Sequence, residues 1–180
     1  PFASLTRQAW LARATAMILR PATLADAPAL AQLGSASFCA TFEHLYRPED
    51  LAAFLKQVYS ESAVADEIAG PECIHRLADD TGELIGYCKM RHPSWYAEHS
   101  DARNPIALGQ LYTAPGRTGE GIGAALMDWA IAHAREQGCD AIQLSVFSEN
   151  YGAQRFYQRY GFGKIADITF EVGQHVDHEF

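Results

Sequence analysis

Apolar residues recur at helical spacing in the first third of the chain. Leu24, Ala27, Leu30, Ala31, Leu33 and Gly34 place small and apolar side chains on one face as far as Phe38, which predicts an amphipathic helix. Thr23 and Asp26 supply start chemistry for it. Leu51, Phe54, Leu55 and Val58 repeat the period behind Pro48-Glu49-Asp50, a proline and two acids suited to a first helical turn. Ser60 to Ala69 reads as a third, short helix stopped at Gly70-Pro71, and Ile18-Leu19-Arg20 as a short strand stopped by Pro21. The pattern then turns strand-like. Cys73 to Ala78 and Glu83 to Met90 flank Asp79-Asp80-Thr81-Gly82, a hairpin turn of Asp/Gly type. A polar loop from His92 to Asn104, carrying Trp95 and Tyr96, leads to a fourth strand over Ile106 to Thr113. Gly121 to Gln137 predicts the main helix, with Ile122, Ala125, Leu126, Trp129 and His133 on one face and Gly138 as its cap. A fifth strand over Ala141 to Phe147, a short helix over Tyr151 to Arg159 turned off at Gly161, and a hairpin of Phe162 to Val172 and His175 to Phe180 complete the pattern. Strands and helices in this order predict an α/β or α+β fold.

Composition narrows the class of function. The chain has 180 residues, 48% of them hydrophobic, enough for one well-buried core. No apolar run approaches the roughly 20 residues of a membrane span, so no membrane partner is expected. Residues 1–16 are Ala-rich and contain Arg7 and Arg13, without the apolar core of a signal peptide. Met17 begins a segment that reads like a natural start, so residues 1–16 are expected to be an extension and 17–180 one domain. Cys39, Cys73, Cys88 and Cys139 are scattered, with no Cys-x-x-Cys pair, which disfavours zinc and disulfide scaffolds and fits a reducing cytoplasm. His175 and His178, two rings on opposite faces of a strand, give no metal site. The formal net charge of −8 works against nucleic acid and is compatible with a cationic substrate.

The richest local signal is Pro115-Gly116-Arg117-Thr118-Gly119-Glu120-Gly121-Ile122-Gly123. Glycines just before a helix let main-chain N–H groups approach a ligand where the helix carries partial positive charge, a setting for phosphate. A nucleotide-type P-loop fails, because Ile122 stands where Lys is required. A dinucleotide turn over Gly119-Glu120-Gly121-Ile122-Gly123-Ala124 fits only with Ala in the last position; Asp140, about 20 residues on, keeps that alternative open.

The turn and its surroundings resemble the GNAT acetyltransferase superfamily. That family's [Gln/Arg]-x-x-Gly-x-[Gly/Ala] signature aligns with Thr118-Gly119-Glu120-Gly121-Ile122-Gly123, with Thr in place of Gln or Arg at the first position. Asn150, Ala153, Phe156, Tyr157, Gly161 and Phe162 match its Asn-x-x-Ala-x-x-Phe-Tyr-x-x-x-Gly-Phe pattern, and Met17 to Ala27 and Leu111 to Pro115 look like its first strand and helix and the end of its fourth strand. The resemblance, running from Met17 to Phe180, implies a mixed, mostly antiparallel central sheet of about seven strands, helices on both faces, splayed between strands four and five. It implies acetyl-CoA as co-substrate and no metal. The pantetheine arm would pair with Leu111, Tyr112 and Thr113, with the Leu111 N–H also serving the thioester oxyanion. The pyrophosphate would sit on Arg117, Thr118, Gly119, Glu120, Gly121, Ile122, Gly123 and Ala124. Asn150 would hydrogen-bond the pantetheine arm, Ala153 is small enough to let the cofactor pass, Phe156 would border it, and the phenol of Tyr157 would protonate the departing thiolate.

Two roles stay open. Many relatives carry a Glu on strand four as base, where this chain has Ala107; Glu83, His92, Glu98, His99 or water are the alternatives. The link Phe42-Glu43-His44-Leu45-Tyr46-Arg47 is similar to that of a bacterial small-amine and polyamine acetyltransferase branch. It points to Phe42, His44 and Tyr46 as acceptor-pocket residues and to Glu43 as partner of a cationic amine. The implied activity is acetyl transfer from acetyl-CoA to a small primary amine, by direct attack in a ternary complex. Protein N-terminal or lysine acetylation is an alternative, as is a non-catalytic acyl-CoA sensor on the same fold. A homodimer is expected because many relatives associate.

Overall fold

A computed structural model describes residues 17–180; the expected extension, residues 1–16, lies outside them. Strand β1 (Met17–Pro21) is followed by helices α1 (Ala27–Phe42), α2 (Pro48–Val58) and α3 (Glu61–Ala69). Strands β2 (Cys73–Asp80), β3 (Glu83–Arg91) and β4 (Pro105–Thr113) form a meander. Helix α4 (Ile122–Glu136), strand β5 (Ala141–Gln143), helix α5 (Tyr151–Arg159) and the hairpin β6 (Ile168–Val172)–β7 (His175–Glu179) complete the chain. The sheet order is β1-β2-β3-β4-β5, antiparallel except for the parallel β4–β5 pair.

Local chemistry explains the boundaries. Asp26 accepts from the Thr23 N–H and hydroxyl, each at 2.8 Å, holding a short 3-10 turn that delays α1 to Ala27. Ser60 caps α3 by accepting from the Ala63 N–H at 3.2 Å. Thr81 and Gly82 both take positive φ, as the two-residue turn between β2 and β3 requires.

Side chains alternate across the sheet and give it two cores. Ala78, Cys88, Met90, Ile106 and Leu108 pack with Ile122, Leu126, Met127 and Ala130 of α4. On the opposite face Leu77 and Tyr87 pack with Leu30, Ala31 and Leu33 of α1 and Val64 of α3. A third cluster, with Phe38, Tyr46, Tyr59 and Val172 at its centre, joins α1, α2 and the final hairpin.

The expected seven-stranded sheet is instead five strands plus the separate β6–β7 pair. The fifth strand ends at Gln143 rather than Phe147, and the chain beyond it pairs with the end of β7. Val146 and Phe180 exchange N–H···O bonds of 3.1 and 3.0 Å, the Ser148 N–H donates to the His178 carbonyl at 2.9 Å, and Phe147 bridges Glu179. The loop of 92–104 is anchored by buried Gln143. Its Oε1 accepts from Ser94 Oγ at 2.6 Å, and its Nε2 donates to the Tyr96 carbonyl at 2.9 Å and Ser100 Oγ at 3.0 Å.

Candidate active site

Parallel pairing of β4 and β5 covers only Pro105 to Ala107, opposite Ala141 to Gln143. Beyond it β4 runs on to Thr113 without a partner on that side. A register shift against β3 pairs Lys89 with Gln110 but Met90 with Leu108, leaving Gly109 as the extra, bulged residue. A side chain there would meet the Trp95 ring at 3.0 Å, so glycine suits this close approach. The divergence opens a cleft of about 910 Å³. Its walls include Leu111, Tyr112 and Thr113 of β4, Thr118 of the glycine turn, and Asn150, Ala153 and Tyr157 of α5 and its start.

The glycine turn ends on Gly121, the residue before α4, at φ 84° and ψ −2°. No side chain caps this helix start. The N–H groups of residues 118–124 have no acceptor among the described residues, so the turn presents unpaired donors where the helix dipole is positive. These donors, the open β4 edge and the cleft volume fit the pyrophosphate and pantetheine parts of coenzyme A. Arg117 departs from the expected cradle. Its N–H is taken by the Ala114 carbonyl at 3.0 Å, and its guanidinium is held by Glu120 at 2.8 Å and Asp80 at 3.4 Å. Glu120 is thereby occupied, Ile122 is buried in the core, and Phe156 packs against that core rather than lining the cleft.

Asn150 caps α5, its side-chain oxygen accepting from the Ala153 N–H at 3.1 Å. The Tyr157 ring lies edge-on to Phe156 and Phe162, and its hydroxyl has no hydrogen-bond partner among the described residues. Burial, and then the nearby Tyr112, push its pKa above the ordinary phenol value, so it stays protonated at neutral pH.

The rest of the cleft is aromatic and acidic. Phe42 and Tyr46 line it, whereas Glu43 and His44 lie on a 3-10 turn outside it. The link makes one full turn here, and only its flanking aromatics point inward. Acid comes instead from Asp177 and Glu179, two positions apart on β7 and both in the cleft wall. Asp177 is buried; Tyr46 Oη donates to its Oδ2, and His175 Nε2 lies 2.9 Å from its Oδ1. Ser145 lies beside Glu179 and 2.9 Å from Tyr96 Oη. Burial raises the Glu179 pKa despite the lowering influence of the Ser145 hydroxyl, and Asp177 adds to the rise. The motifs of the sequence do not single out Glu179; the period-two acids of Asp177-His178-Glu179 are the signal that could have found it. Ala107 is fully buried and does not line the cleft, nor do Glu83, His92, Glu98 or His99.

Among the described residues, no helix is long and apolar enough to cross a membrane, and no group of three or more His, Cys, Asp and Glu could hold a metal ion.

Residues 38–162 match the acetyltransferase (GNAT) family. An uncharacterized N-acetyltransferase of Mycobacterium tuberculosis (strain ATCC 25618 / H37Rv) is 29% identical over 157 residues, covering 87% of this chain and 96% of the relative. Aminoalkylphosphonate N-acetyltransferase of Salmonella typhimurium is 31% identical over 98 residues, 54% of this chain and 62% of that protein. The crystal structure of the PaiA N-acetyltransferase from Thermoplasma acidophilum in complex with coenzyme A shares the fold, with a TM-score of 0.70, 18% identity, and coverage of 91% of this chain and 96% of that one. With the family match spanning more than half of its length, this chain belongs to the acetyltransferase (GNAT) family and is an acetyl-CoA-dependent N-acetyltransferase.

Proposed function

We propose that the protein transfers the acetyl group of acetyl-CoA to the primary amine of a small molecule, by direct attack with both substrates bound in the cleft. The observation that carries this reading is the union, in one cleft, of an unpaired β4 edge, a protonated phenol at Tyr157 and an aromatic wall ending in the carboxylates of β7. Acetyl-CoA supplies an activated thioester carbonyl. The donors of residues 118–124 hold its diphosphate, and the exposed edge of β4 aligns the pantetheine arm. Leu111, on that edge, offers a main-chain N–H to the carbonyl oxygen as negative charge develops there. Tyr157 Oη gives its proton to the leaving sulfur. The aromatic walls of Phe42 and Tyr46 exclude water, and the acids of β7 favour a cationic amine over a neutral alcohol.

Release of free thiol from acetyl-CoA, followed with a panel of small primary amines, amino acids, aminophosphonates and N-terminal peptides, tests the reading. Turnover with small amines supports it. Turnover with peptides alone replaces the acceptor class, and acetyl-CoA binding without turnover across the whole panel replaces the enzyme with an acyl-CoA sensor.

A further inference from the structure

Given acetyl transfer to an amine, we infer that Glu179 of β7 is the base that takes the proton from the incoming ammonium ion. A primary alkylamine resembles the lysine side chain, so at pH 7 only roughly one molecule in 10³ carries the lone pair needed for attack. A proton acceptor beside the cleft therefore has a large effect on rate.

The cleft wall offers few candidates. On β4, Gln110 bears no titratable proton site; its Oε1 accepts from Tyr87 Oη at 3.0 Å and its Nε2 donates to Tyr59 Oη at 3.1 Å. Tyr112 is pushed by burial up to about 12, too high for a base. The carboxylates in the wall are Asp177 and Glu179. Asp177 has one oxygen taken by Tyr46 and the other by His175, and it is buried. Glu179 has Ser145 as a polar neighbour that favours its charged form, and it is partly exposed to the cleft.

Main-chain pairing fixes its position. The end of β7 pairs with the chain beyond β5, through the Val146–Phe180 and Ser148–His178 bonds and the Phe147–Glu179 bridge. Glu179 thus stands in the cleft wall, near enough to Tyr112 of β4 for their charges to interact. The groups around it are Asp177 and His175 on its own strand, Tyr46 from the α1–α2 link, Tyr112 from β4 and Tyr96 through Ser145. Tyr157 lies in the same cleft. The cations in the wall, Lys89 and Arg91, are already paired with Glu67 and Glu72. With Asp177 beside it and burial around it, the Glu179 carboxylate is a stronger base than an exposed one.

The protons balance. The ammonium gives one proton to the Glu179 carboxylate, and its nitrogen lone pair forms the C–N bond to the acetyl carbon. The C–S bond breaks with its electron pair leaving on sulfur, which takes the Tyr157 proton. The second nitrogen proton restores the phenol, and Glu179 returns its proton to solvent, for which the Ser145–Tyr96 hydroxyl pair offers a route. The products are the amide, free thiol and one proton.

Glu179→Gln tests this with the best amine of the panel. At pH 7 kcat/KM is expected to fall by about 10², while calorimetric affinity for coenzyme A stays within about twofold of the parent protein's. The variant's rate should climb with pH well into the alkaline range, as the amine loses its own proton, where the parent protein's levels off earlier. A fluorinated primary amine already neutral at pH 7 should react with both proteins at similar rates. Glu179→Asp, which keeps the carboxylate, should retain the parent pH profile at reduced rate and serves if the Gln variant folds poorly. A Gln variant with unchanged rate and pH profile, or one equally slow with the neutral amine, overturns the role of Glu179 alone. Absence of turnover by the parent protein with every amine overturns the acetyl-transfer reading and this base with it.

Discussion

At the scale of single residues, chemistry depends on which side chains keep a free polar atom inside the cleft. Tyr157 is one: a phenol held protonated by burial, with its hydroxyl unpaired among the described residues. Tyr157→Phe removes only the hydroxyl, so turnover should fall by about 10² with coenzyme A affinity little changed; single-turnover kinetics with calorimetry checks the split, and near-parental turnover would remove the phenol from the reaction. Lys89 is the opposite case, a buried cation fully engaged by Glu67 at 2.9 and 3.1 Å, with His75 at 3.4 Å from the same carboxylate. Burial alone would raise the Glu67 pKa, but the His75 and Lys89 contacts outweigh it and lower it. Glu67→Ala leaves Lys89 buried without its carboxylate and should cost roughly 2–3 kcal/mol, read as a reduced urea midpoint with unchanged slope.

At the scale of elements, the junction of the glycine turn with α4 and the crossing of α4 over the sheet are the sensitive points. Gly121 sits at φ 84°, and a methyl group added to it would enter open space, with nothing within 4 Å. Gly121→Ala therefore meets no clash, only left-handed backbone strain of roughly 1–2 kcal/mol. Relief of that strain rotates the amides of the helix start, so coenzyme A affinity should fall by roughly tenfold with a smaller loss of thermal stability. Gly86 is different: a methyl there would lie 2.7 Å from Ile122 Cγ2 and 2.8 Å from the Tyr112 carbonyl. Gly86→Ala should push α4 off the sheet and cost about 1–3 kcal/mol by overpacking, seen in chemical denaturation. The β4 bulge and the truncated β5 work together, since without the splay the cleft would be closed by continued pairing.

At the scale of the whole molecule, two polar links tie distant parts together. Tyr46 Oη donates to Asp177 across 131 positions of sequence, fastening the α1–α2 link to the final hairpin. Tyr46→Phe should lower unfolding free energy by about 1–3 kcal/mol and loosen the acceptor wall. Arg20 binds Asp26 at 2.7 Å and Asp79 at 2.8 Å, joining β1 to α1 and β2. Both carboxylates are held below their usual range, chiefly by these hydrogen bonds from Arg20. A depressed carboxylate stabilises the fold above its unfolded pKa of about 4 and loses that stabilisation as pH falls through and below it. Arg20→Gln should therefore flatten the acid limb of the melting-temperature profile below about pH 4, and an unchanged limb would assign acid sensitivity to other carboxylates.

Elements with local causes were legible from the residues alone. Helical period, a proline with acids at Pro48-Glu49-Asp50, the positive-φ turn at Thr81-Gly82 and the glycines before Ile122 each act within a few residues, and each element stands near its expected bounds. The short helix over Tyr151 to Arg159, which carries the phenol, likewise stands at its expected bounds. The partners of the strand-forming residues, by contrast, were set by long-range packing. Leu144 to Phe147 have the composition of a strand, yet the pairing found here is that of Val146 to Ser148 with the end of β7, while β4 beyond Ala107 is left open along the cleft. The same pairing brings the acids of β7 into the cleft wall while Glu43 turns to solvent, because a side chain's surroundings depend on pairing between segments far apart in the chain.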